Sequence, residues 1–122
     1  IAQQKNIEVS IESIINRYLN NPITQAVVIC GLEPILQFEE VFEFIKQFRQ
    51  YTNDDIVIYT GYYPEEIKDK IEQLKQYKNI IIKFGRYIPS RKKRFDEVLG
   101  VWLASDNQFA VKVNWQNINI IL

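Results

Sequence analysis

The chain contains no histidine and no methionine, and its 122 residues include a single cysteine, Cys30. Without histidine it lacks the commonest general base and metal ligand. A lone cysteine excludes an internal disulfide and suits a reducing compartment, so a cytoplasmic location is expected. Because methionine is missing, Ile1 is not a natural initiation site, and the sequence is expected to belong to a longer polypeptide. An excess of charge of one sign is also lacking: 15 basic residues balance 15 acidic ones. That balance predicts neither a nucleic-acid partner nor a membrane one. No apolar run reaches membrane-spanning length, and the first residues do not resemble a signal peptide. With 47% apolar residues, the chain is expected to form a single domain, residues 1–122, with a real core.

What is present is an alternation of apolar runs and helical stripes. Ser10 suits an N-cap, followed by Ile11, Ile14, Ile15, Tyr18 and Leu19 on one helical face, and Asn20-Asn21-Pro22 stops that helix. Thr24 to Cys30 reads as a strand buried on both faces, and a helix is expected from about Leu36 to Tyr51. Ile56–Tyr59 and Asn79–Lys83 read as further buried strands, separated by a helix that starts at Pro64. This order predicts an α/β fold with parallel strands and right-handed crossovers. Residues 85–108 read as a long irregular loop. Phe109 to Val113 then reads as a half-buried strand that pairs back with Ile118–Leu122 in a C-terminal β-hairpin.

The candidate chemistry lies at strand ends. Gly31, Leu32, Glu33 and Pro34 follow the first strand, and Thr60-Gly61 follows the second, which is where open α/β sheets place ligands. Glu33 has two readings. It is either a solvated charge at a helix start, or a carboxylate that accepts a hydrogen bond from an ammonium group while Gly31 lets a ligand approach. As a strand-end residue it is expected to lie outside the core, so that its removal leaves the fold largely untouched. Asp54-Asp55 precedes its strand and so lies on the wrong edge of the sheet for a phospho-acceptor. Arg91-Lys92-Lys93-Arg94 is the one basic run, Trp102 and Trp115 read as core or hairpin packing, and Cys30 reads as a small buried hydrophobe. No catalytic residue and no metal ligand is assigned within the chain, since no arrangement supports a hydrolytic triad or a zinc site.

In order, these pieces resemble a known family. Gly31-Leu32-Glu33-Pro34 is similar to the Gly-Gly-Glu-Pro motif of radical S-adenosylmethionine enzymes. Tyr59-Thr60-Gly61-Tyr62 with Pro64-Glu65-Glu66-Ile67 resembles a stretch of the activating proteins of anaerobic ribonucleoside-triphosphate reductase. Gly85-Arg86-Tyr87-Ile88 and Leu103 to Gln108 resemble two further segments of that group. The resemblance implies a partial, open (β/α) barrel, the portion of a longer protein that binds S-adenosylmethionine against a 4Fe-4S cluster. Gly31, Leu32, Glu33, Pro34, Thr60 and Gly61 would face that cofactor, and the cluster ligands are expected upstream of residue 1. The implied activity is generation of a 5′-deoxyadenosyl radical that installs a glycyl radical on a reductase-type protein partner. The competing expectation is a degenerate module that keeps the fold without the radical chemistry. Departures from the family stand at Leu32 for glycine, Phe84 for aspartate and Phe109 for arginine.

Overall fold

The computed structural model of the chain describes residues 10–23 and 25–113. Helix α1 (Ile11–Leu19) is capped by Ser10, whose side chain accepts a hydrogen bond from the Ser13 backbone N–H at 3.1 Å. Strand β1 (Ala26–Ile29) leads through a 3₁₀ turn (Pro34–Gln37) into helix α2 (Phe38–Phe48), and strand β2 (Asp55–Tyr59) follows. A second 3₁₀ turn (Pro64–Glu66) precedes helix α3 (Lys68–Leu74), and strand β3 (Ile80–Phe84) comes next. Both prolines therefore start 3₁₀ turns, and the α-helices begin after them, later than the periodicity suggests.

The main sheet has the order β1-β2-β3-β6, where β6 is Phe109–Val113. Strands β1, β2 and β3 are parallel neighbours, as expected, and β6 runs antiparallel beside β3. Alternation along the strands sends Ile56, Ile58, Ile80, Ile82 and Phe84 to one face, where they pack with Ile15, Val41, Phe44, Ile45, Phe48, Ile71 and Leu74 of the three helices. The opposite face carries a smaller cluster of Val57, Ile81 and Ala110, with Leu99 against it. This is a mixed α/β fold with a largely parallel sheet. Among the described residues the strands do not close into a barrel.

Two expectations change here. The first strand is not buried on both faces: among the described residues it is the outermost strand, and its residues alternate between exposed and half-buried. The segment 85–108 is not irregular throughout, because β4 (Arg94–Asp96) and β5 (Val101–Leu103) form an antiparallel hairpin within it. Asp96, only 4% exposed, pins that hairpin, accepting hydrogen bonds from Leu99 N at 2.9 Å and from Ala110 N of β6 at 3.0 Å. The strand at Phe109–Val113 forms as expected and pairs with β3. Ile118–Leu122 and Trp115 lie outside the described residues.

Candidate functional site

The motif segments converge at the carboxyl ends of the parallel strands. Glu33 follows β1 and reaches across to the end of β2. Its Oε2 accepts hydrogen bonds from the Thr60 hydroxyl at 2.7 Å and from Ile35 N at 3.0 Å, and its Oε1 accepts one from Gly61 N at 2.9 Å. Thr60 is 2% exposed, and its oxygen also accepts from Tyr62 N at 3.1 Å. An ionised carboxylate offers about four acceptor sites, so roughly one remains for any ligand. The structure thus brings together Glu33, Thr60 and Gly61, with Pro34 buried behind them.

Gly31 has φ +97°, a region that L side chains rarely adopt, and faces open space. Leu32 is 82% exposed. At Gly61 φ is not positive, and a Cβ there would meet Arg86 Cγ and Glu33 Oε1 at an ordinary 3.5 Å. Cys30 is exposed, not buried, because β1 is the sheet edge.

A second latch joins the two later motif segments. Gln108 Nε2 donates to Gly85 O at 3.2 Å, Asn107 Nδ2 donates to Arg86 O at 2.7 Å, and Ser105 Oγ accepts from Ile88 N at 3.1 Å. Gly85 has φ +106°, and a Cβ there would stand 3.2 Å from Asn107 O and Gln108 Cα. Arg86 is paired with Glu66 at 3.2 Å and lies over the rings of Tyr62 and Tyr63. The Tyr63 backbone N–H, then Arg86, holds the Glu66 carboxyl below its ordinary range. Asn107 Oδ1 is buried without a hydrogen-bond partner.

Sequence reasoning passed over Lys83. It is 8% exposed at the end of β3, with Nζ over the Tyr59 ring at 5.2 Å and 3.5 Å from Gly85 O. Burial lowers its pKa, against the opposing pull of the Glu33 carboxylate. The available signal was a lysine inside an otherwise apolar strand, Ile80 to Phe84. The Phe84 and Phe109 departures lie opposite each other in the sheet. They are cross-strand partners whose ring centroids lie 5.4 Å apart, so an aromatic pair occupies the place where the resemblance expects an aspartate and an arginine. Trp102 packs in a hairpin and not in the core: it is 66% exposed and meets Phe95 edge-to-face across β4–β5. Arg91 of the basic run pairs with Asp106.

A groove of about 460 Å³ lies elsewhere, along the outer edge of β1 between α1 and α2, lined by Ile11, Ile14, Val28, Glu40 and Phe44 among others. Glu33, Thr60 and Gly61 do not line it.

The sequence model of one family, the 4Fe-4S single cluster domain, matches residues 2–110. The chain belongs to that family. No curated protein and no solved structure matches it. Membership of the 4Fe-4S single cluster family makes the ligand set the deciding question, because such clusters are held by several thiolates. The residues present do not fit: Cys30 is the one cysteine of the sequence. Among the described residues, no group of three or more His, Cys, Asp or Glu side chains could hold a metal ion. The expectations of a radical-generating activase, of an oxidoreductase activity, and of bound S-adenosylmethionine with a 4Fe-4S cluster are therefore corrected. Among the described residues, no helix is long and apolar enough to cross a membrane.

Proposed function

We propose that the chain is a non-catalytic binding module, a degenerate relative of the radical S-adenosylmethionine activating proteins that retains one sector of their partial barrel. The observation that carries this reading is the state of the Glu33 carboxylate. It is engaged by Thr60, Gly61 and Ile35 of its own chain, in a protein with one exposed cysteine. The carboxylate, in this reading, ties β1 to β2 and makes a rigid rim of Gly31, Leu32, Glu33, Pro34, Thr60 and Gly61. The exposed Leu32 and the open space at Gly31 let a protein partner of the glycyl-radical reductase type rest on that rim without radical chemistry.

Anaerobic reconstitution with iron and sulfide tests the proposal. The chain should bind iron substoichiometrically and show no four-iron absorbance or paramagnetic signal on reduction. A stoichiometric cluster that persists in Cys30→Ser would overturn it.

A further inference from the structure

The molecule carries two exposed apolar patches of opposite electrostatic character, at opposite edges of one sheet. One is at β1, the outermost strand. Ile14 and Val28, 40% and 50% exposed, line the groove there, and Leu32 and Leu36 are exposed beside it. Glu40 lines the groove, and Glu39 and Glu43 are exposed on the same helix α2. The other patch is the β4–β5 hairpin, held beside β6, the far strand of the sheet, by Asp96 of β4, which accepts from Ala110 N. Phe95, Val98, Val101 and Trp102 are exposed on it, and Arg91 to Arg94 lead into its first strand.

An exposed Trp–Phe pair on a pinned hairpin is costly to leave in water, and contiguous exposed apolar surface usually marks an interaction site. Tryptophan and arginine are the residues that most often dominate such sites. The hairpin needs an apolar recess with an acidic border, and the β1 groove supplies both on the same molecule. Because the patches lie on opposite edges, a copy cannot satisfy its own hairpin, and a two-fold pairing does not follow from the match. A head-to-tail contact does.

We propose that the chain self-associates head to tail, with the Phe95–Trp102 face of one copy seated in the β1 groove of the next. Lys92 and Lys93 then meet Glu40 and Glu43 of that neighbour. The contact is apolar at its centre and charged at its rim, the usual anatomy of a specific interface.

Sedimentation velocity of the full chain, from micromolar to near-millimolar concentration, reads the outcome. The weight-average mass should rise with concentration and fall with added salt. Trp102→Ala should weaken association by about thirty-fold, the effect of losing a central aromatic anchor. Trp102 is largely exposed, so the melting temperature should hold. A Glu40→Lys/Glu43→Lys variant should also remain monomeric. Mixed together, these two variants keep one intact hairpin and one intact groove, and they should form a one-to-one dimer that grows no further. Lys92→Glu/Lys93→Glu should engage the Glu40→Lys/Glu43→Lys chain through both patches, and should engage the wild type only through its own unaltered groove, capping growth at that end. A wild type that stays monomeric at every concentration overturns the proposal. So does a wild type that associates while the mixed variants do not, which would mean a symmetric interface elsewhere. Cluster reconstitution has no bearing on either result, so this proposal and the module reading fail separately.

Discussion

Replacing Glu33 with alanine tests the central claim that this carboxylate is a structural clamp. Three donors lose their acceptor: the Thr60 hydroxyl, Gly61 N and Ile35 N. Thr60 is 2% exposed, so its hydroxyl cannot turn to bulk water. A hydrogen bond to a charged group contributes about 1.5–3 kcal/mol, and a stranded buried donor costs about 1–3 kcal/mol. Gly61 is half-buried, so its N–H recovers part of its loss, whereas Ile35 is 6% exposed. The net expectation is a destabilisation of about 3 kcal/mol. For a chain of this length that lowers Tm by roughly 12 °C. Urea unfolding followed by far-UV circular dichroism measures it, and Glu33→Gln should fall between wild type and Glu33→Ala. A double-mutant cycle with Thr60→Val should show coupling of about 1 kcal/mol or more, because the two side chains share one bond. A charge acting only at a helix start is worth about 0.3–1 kcal/mol. A Glu33→Ala loss within that range, additive with Thr60→Val, would refute the clamp.

Two further substitutions test the surrounding frame. Lys83→Met should raise Tm by a few degrees at neutral pH, since burial of the ammonium outweighs the attraction of Glu33. The folded pKa of Lys83 lies below 10.5, so the unfolded chain binds more protons in the window between them. Wild-type stability relative to Lys83→Met should therefore rise as pH climbs through that window, and a gap independent of pH in thermal melts would reject the assignment. Gly85→Ala should cost about 1–3 kcal/mol, because it forces a positive φ and drives a methyl against the Asn107–Gln108 backbone. Gly61→Ala, with ordinary contacts and no positive φ, should cost much less by the same denaturation measurement.

By itself the sequence determined the elements whose signal is local. The helix of Ile11–Leu19 and its Ser10 cap, the three parallel strands, and the convergence of Glu33 and Thr60-Gly61 at their carboxyl ends were all legible. Hydrophobic period and capping chemistry act within a few residues, and the crossover rule then orders the strands. The single cysteine, too, sufficed to exclude a cluster held by this chain's own thiolates.

Tertiary structure decided what depends on residues far apart in the chain. An apolar run such as Ala26–Ile29 reads alike at an edge or in the centre, and only the sheet order among the described residues made it an outer strand beside a groove. The hairpin of Arg94–Asp96 and Val101–Leu103 has strands too short for a periodic signal, and it is held by Asp96 reaching across to Ala110. Lys83 looked like a strand terminus until burial beside Tyr59 gave it a perturbed environment. Phe84 and Phe109 looked like two separate losses until the register set them face to face. For Glu33, position alone left a solvated charge and a ligand contact both open. The Thr60 hydroxyl and Gly61 N–H, brought within hydrogen-bonding distance by parallel pairing of β1 and β2, made it a clamp instead.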